Sequence, residues 1–422
     1  MSDFCQLCHF YLFKTIRILL LAPKQRPVMP NRYLILTLMF FGMFSTAATV
    51  PYMGYFIVEG LGKEPWMISI YAVLVTSMIL VVNRFLGRRI DEGGDIRAYI
   101  FWAIIAYIVA LTALLVFTSY WTLISIYAAG ISVASGSMSV MFSFARIYAD
   151  ASHIDAIKFN AQIRAMASLA WMIAPAGSFT MAGLWGHMIV FQVALGLGFL
   201  WLLVWHLTLK SPFRRTSSHS GASLNQTASL RTDFNSAIWI AAAVCLFLSL
   251  GNSLVLSASP LYLIKEIHLP ASAPGLSLTV KCFFEVIIIL GTPNLIKKIG
   301  LRNALIVSSM LAVASSIYLA QIKTMTEMFI AAAIEGTYFG IFAAVGVSFV
   351  QSFSKGRIGH ATSIFSNGLF MGSMIGGSMM GILANFTDFR TVILCASLPA
   401  ILAAITLVFT RGSDSEAEKL PA

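Results

Sequence analysis

Apolar residues in this chain arrive in blocks of roughly 20, the length of helix that crosses the hydrocarbon of a bilayer, and short polar stretches separate the blocks. Taken in order they give spans at 34–58, 66–86, 98–117, 121–142, 160–182 and 186–207, then at 237–263, 272–294, 304–322, 325–350, 361–384 and 389–410. The pattern predicts an all-α membrane protein with twelve transmembrane helices. Between the sixth and seventh spans lies a Ser-, Thr- and Arg-rich stretch without apolar periodicity, which reads as a cytoplasmic linker. Each span of the second set follows its counterpart by about 200 residues, as expected of two parallel six-helix repeats. The predicted organisation is an N-terminal extension over 1–33, a bundle over 34–209, the linker over 210–235, a second bundle over 236–410 and a tail over 411–422.

Hydrophobic residues make up 58% of the chain and charged residues 11%, which excludes an ordinary soluble domain. A net charge of +11 would suggest nucleic acid in a soluble protein. Here all but five of the 28 Lys and Arg fall on one side of the membrane, with Lys63, Lys265, Lys323 and Arg390 opposite and Lys281 within it. That asymmetry is the positive-inside rule, with both termini cytoplasmic and no nucleic-acid partner. The run Tyr11 to Ala22 is too short to span and is interrupted by Lys14 and Arg17, and Asp3 stands where a signal peptide would be basic. Met29 offers an alternative start, and the extension is expected to be spurious or interfacial. Cys5, Cys8, Cys245, Cys282 and Cys395 form neither a disulfide framework nor a metal site. No GxSxG, HExxH, clustered His and Cys or GxxxxGK[ST] string occurs. The sequence thus argues against a membrane enzyme, a cofactor and ATP drive. The short loops leave no extramembrane domain for a receptor or scaffold.

Candidate chemistry begins with Lys281 and Glu285 on the eighth span and Glu335 on the tenth. Hydrocarbon does not solvate such groups, so each faces a cavity or a partner, and residues of this kind mark transport pathways. Lys281 and Glu285 stand four apart on one helix face and are expected to form an intrahelical ion pair, leaving Glu335 as the uncompensated acid. Which carboxylate carries a proton stays open at this level, since coupled groups titrate together.

The loop after the second span reads GRRIDEGGDIR, with Gly87, Asp91, Gly94 and Arg97 on nearly the spacing of the cytoplasmic loop motif of major facilitators, and with Asp95 where that motif is usually basic. Asp91 can accept bonds from a helix N-terminus or a neighbouring Arg and latch one conformation. The equivalent loop after the eighth span, IKKIGLRN, keeps Gly300 and Arg302 without the Asp. Longer strings narrow the match: FSFARIYAD (Phe142 to Asp150), IRAMASLAWMIAP (Ile163 to Pro175), VPYMGYFIVEGLGKEPWMI from Val50, and GRIGHATSIFSNG ending at Gly368. On these residues the chain resembles the bacterial sugar efflux transporters of the major facilitator superfamily. The resemblance implies two six-helix bundles in the inner membrane and export of small sugars or glycosides, by proton antiport, from a monomer. Arg146, Asp150, Arg164, Trp171, Pro175, Glu285 and Asn367 fall on positions associated with that branch, whereas Lys281 and Glu335 do not.

Arg146, Asp150 and Arg164 flank the loop between spans four and five, where the prevailing expectation is a charge latch at the cytoplasmic mouth together with Asp91 and Arg97. Arg164 is the better substrate candidate of these, one turn inside span five. Trp171, seven residues on, shares its face, and an indole in a cavity can stack on a sugar ring while its N–H bonds a hydroxyl. Among the polar residues of other cavity spans, Asn252 and Asn367 are site candidates because an amide donates and accepts as a hydroxyl does. Ser45, Thr46, Thr49, Ser249, Ser363 and Ser366 are expected mainly to pack between helices. Substrate contact is therefore assigned to Arg164, Trp171, Asn252, Asn367 and Glu335, and proton coupling to Glu285, Glu335 and Lys281. The rival expectation within transport is a proton-coupled multidrug exporter, since basic lipophiles suit acids among aromatics.

Overall fold

The computed structural model describes residues 30–152, 154, 156–210, 236–353 and 358–409. Among these there is no strand, and twelve helical spans follow one another. They are α1 (Arg32–Gly60), α2 (Trp66–Asp91), α3 (Ile96–Val116), α4 (Tyr120–Ala149), α5 (Ala156–Trp185), α6 (His187–Thr208) and α7 (Ala237–Glu266). The run Ala273–Leu319 is two arms, α8 and α9, joined at Gly300, whose φ of 79° only glycine adopts readily. α10 (Met325–Ser352), α11 (Ile358–Leu383) and α12 (Phe389–Phe409) complete the series. Among the described residues 11 helices are long and apolar enough to cross a membrane by length and composition. α11 falls short of that mark because its Gly, Ser and Asn residues dilute the apolar ones. Of the expected extension only residues 30–33 are described, Arg32 and Tyr33 already within α1, and of the expected linker only Lys210.

Local chemistry sets the helix ends. Asn31, Ser119 and Thr324 cap α1, α4 and α10, the last in a reciprocal capping box with Glu327. Asp95, the departure from the loop motif, accepts from the Arg97 amide and caps α3. Asp388 caps α12, and hydrogen bonds from the Thr391 hydroxyl and amide hold its carboxyl below the usual carboxylate range. The repeat is visible here too. Arg97, at the start of α3, donates to the Lys210 carbonyl beyond α6, and Arg302, at the start of α9, donates to the Leu407 carbonyl at the end of α12. In each half an Arg thus satisfies carbonyls at a helix C-terminus. α1 and α7 likewise both end in a π-helical turn, Phe56–Gly60 and Tyr262–Glu266.

Without a hydrophobic drive between helices in lipid, small residues that let backbones meet fix the packing. Gly368, Gly372 and Gly376 carry α11 against the α7 backbone at Ala242, Leu246 and Leu250. Gly336 and Gly340 carry α10 against the carbonyls of Lys281 and Glu285 on α8. Gly336→Leu is therefore expected to force α10 off α8, costing roughly 1–3 kcal/mol or more. A thermal melt of the detergent-solubilised protein checks this, and an unchanged melt would remove Gly336 from the packing argument.

The two halves touch through α5 with α8, α2 with α11 and α1 with α7. Thr279 Oγ1 donates to the Met172 carbonyl at 2.6 Å, Ser69 Oγ to the Ser378 carbonyl at 2.5 Å, and Lys265 Nζ pairs with Glu59 at 2.5 Å. Gly275 brings α8 onto Pro175 and Ala176 of α5, and Gly381 brings α11 onto Pro65 and Ser69. All these contacts lie toward the ends of the helices remote from the 211–235 linker.

Candidate functional site

Just to the linker side of the α5–α8 contact lies a cavity of about 320 Å³ between the halves. Ser168 and Trp171 of α5 face it from one half. Asn252 of α7, Lys281 and Glu285 of α8 and Phe339 of α10 face it from the other, with Leu256, Leu278 and Val286 as apolar wall. Helical spacing explains the convergence: Lys281 and Glu285 are one turn apart, as are Asn252 and Leu256.

The charges are wired differently from the sequence expectation. Lys281 does not pair with Glu285. Its Nζ pairs with Glu335 Oε1 at 2.5 Å and donates to Asn252 Oδ1 at 2.8 Å. Both side chains of the ion pair are buried, at 6% and 8% exposure. Tyr338 Oη donates to the same Asn252 oxygen at 3.4 Å, and Lys281 Nζ lies 5.2 Å from the centre of the Phe339 ring. Glu285 makes no ion pair or hydrogen bond among the described residues, so the acid left uncompensated is Glu285 and not Glu335. The cause is helix packing: Gly336 and Gly340 let α10 approach until Glu335 reaches Lys281 across the helix pair. An interhelical partner also avoids the unfavourable Lys-before-Glu order on one helix.

The remaining candidates sit elsewhere. Arg164 is exposed on α5, two turns from Trp171 and outside the cavity. Asn367 is exposed on α11 and also outside it. Arg97 is engaged with Lys210 and lies over the Trp205 ring, whose Nε1 donates to the Arg97 carbonyl. The side chains of Asp91, Arg146 and Asp150 lie outside the described part of the structure. Thr46 and Thr49 bond backbone carbonyls of their own helix. Ser249 bonds the Leu369 carbonyl and Ser373 across α7 and α11. Sequence reasoning missed Tyr338, Phe339 and the Glu59–Lys265 pair. For the first two a signal existed, since they follow Glu335 by three and four residues and share its face.

With that geometry in view, comparison with known proteins is specific. The model of the Major Facilitator Superfamily matches residues 241–422. Sugar efflux transporter C of Escherichia coli is 26% identical over 374 residues, 86% of this chain and 92% of that protein. Sugar efflux transporter B of Salmonella typhimurium is 23% identical over 372 residues, 88% and 93% of the two chains. Over most of its length the chain is similar to sugar efflux transporters, and its C-terminal half matches the Major Facilitator Superfamily model. Its fold matches the crystal structure of the nucleoside transporter NupG with a TM-score of 0.78 at 13% identity, over 90% of this chain and 99% of that one. It also matches a bacterial homologue of the lysosomal transporter Spinster at a TM-score of 0.69 and 12% identity, over 93% and 98%. Relatives and fold neighbours alike are named as transporters, which sets this multi-pass chain among transporters and not enzymes.

Proposed function

We propose that the protein exports small sugars or glycosides across a bacterial inner membrane by proton antiport with alternating access, as a monomer with both termini cytoplasmic. The observation that carries this reading is the cavity between the halves, where an indole, an amide and an acid without an ion-pair partner among the described residues meet. Trp171 offers a flat apolar face to a sugar ring, Asn252 bonds its hydroxyls, and Glu285 takes up and releases the proton. Lys281, at the cavity wall, and Glu335 neutralise one another. In this reading Arg164 and Asn367 meet the sugar on its way in from the linker side. Asp91, Arg97, Arg146 and Asp150 gate that side when the remote contacts open. The family names of the relatives support the substrate class, and contact between the halves toward the ends remote from the linker supports alternation between two openings.

The test is uptake by inverted membrane vesicles. Labelled lactose is expected to accumulate when the lumen is made acidic and to leak away on adding a protonophore. The apolar wall of Phe339, Leu256 and Leu278 also suits a lipophilic cation held by Glu285. Accumulation of a cationic dye without lactose would move the reading to multidrug export. Trp171→Ala is expected to raise the half-saturating sugar concentration about tenfold and Trp171→Phe much less, because stacking needs an aromatic face. Equal transport by Trp171→Ala and wild type would remove the indole from the site.

A further inference from the structure

Asn252 has a forced orientation. A Lys ammonium carries three donors and no acceptor, so the Asn252 atom 2.8 Å from Lys281 Nζ is the amide oxygen. The Tyr338 hydroxyl donates to that same oxygen. Both lone-pair directions of Oδ1 are therefore occupied, while the amide nitrogen has no partner among the described residues and Asn252 lines the cavity. Lys281 is in turn held by Glu335, on a helix that Gly336 and Gly340 bring into backbone contact with α8.

We infer that the buried Lys281–Glu335 pair is a positioning device, which fixes the Asn252 amide with its NH2 toward the cavity and so selects substrates with a hydroxyl oxygen there to accept from it. The inference rests on the sugar-export reading and adds a specificity rule. The α7–α8 wall presents a donor at Asn252 and, while Glu285 is ionised, an acceptor one turn from Lys281. A polyhydroxylated ring satisfies both, since each hydroxyl accepts at its oxygen and donates through its hydrogen. A substrate lacking the hydroxyl opposite Asn252 leaves a desolvated N–H unpaired, and discrimination by such an unmade bond is large. Without Lys281 only the Tyr338 hydroxyl remains beside the amide, and a hydroxyl accepts from NH2 as readily as it donates to the oxygen, so the amide is free to turn its oxygen inward and the rule is lost although Asn252 remains.

The test measures competition against labelled lactose uptake by methyl α-D-glucopyranoside and its 2-, 3-, 4- and 6-deoxy analogues. In the wild type at least one deoxy analogue is expected to compete about tenfold less well than the parent glycoside. In Asn252→Ala that gap closes. In the double variant Lys281→Met/Glu335→Leu, which leaves no buried charge unpaired, it narrows to about twofold or less at the same analogue, with normal protein in the membrane. A second neutral pair, Lys281→Gln/Glu335→Gln, serves if the first does not reach the membrane. A wild-type deoxy profile in a membrane-resident neutral pair, or in Asn252→Ala, overturns the inference, as does a wild type indifferent to every deoxy position. A wild type that takes up no sugar is a separate outcome, and it overturns the function itself.

Discussion

Glu285→Gln is expected to abolish proton-driven accumulation of sugar in inverted vesicles, bringing the inside-to-outside ratio to about one, while exchange of labelled for unlabelled sugar continues. A neutral sugar gains nothing from the membrane potential, so movement against its gradient requires a coupled ion, and a carboxylate alternately open to the two sides can supply a proton. Glutamine has the shape of the protonated acid and cannot release the proton. Glu285 qualifies by position: it faces the cavity between the halves and has no ion-pair partner among the described residues. Glu335 is already paired with Lys281. Loss of coupling in Glu335→Gln with normal pH dependence in Glu285→Gln would move the role to α10. Normal coupling in both would show that neither acid carries the proton.

Lys281→Ala is expected to destabilise the protein by roughly 3–5 kcal/mol, the cost of leaving one member of a buried ion pair without its partner. Both side chains are buried, and Glu335 has no other partner among the described residues within hydrogen-bond reach. Asn252 and Tyr338 lose an anchor with it. The sharper result is the recovery. Lys281→Met/Glu335→Leu removes both charges and fills the space with apolar atoms, so most of the lost stability should return even though two residues have changed. Thermal unfolding followed by the monodisperse fraction in detergent measures both. A double variant as unstable as Lys281→Ala would mean that packing, and not the unpaired charge, sets the cost.

Both results depend on which groups pair, and pairing was the least legible part of the sequence. Within one helix, spacing puts Lys281 and Glu285 on a common face of α8 and Trp171 on one face of α5 with Ser168 and Arg164; the first four of these line the cavity and Arg164 does not. Spacing misdirected the ion pair because the nearest partner in sequence is not the nearest in space. Gly336 and Gly340 decide that, by letting α10 come close enough for Glu335 to reach Lys281. Asp95 was legible only as a departure from a motif. Its reason, an N-cap on α3, needs the direction of its side chain.

The approximate positions of the apolar helical spans were written in the sequence, because the bilayer imposes a similar apolar length on every crossing and leaves polar residues to the connections. The likeness to sugar efflux transporters was legible for a similar reason, since strings such as FSFARIYAD are contiguous. The site is assembled from α5, α7, α8 and α10, whose contributing residues are up to 172 positions apart, between Ala167 and Phe339. No periodicity within a helix tells which faces meet. Only the packing of small residues between helices, and the contact of the two halves at one end, brought Trp171, Asn252, Lys281 and Glu285 around one cavity and paired Lys281 with Glu335.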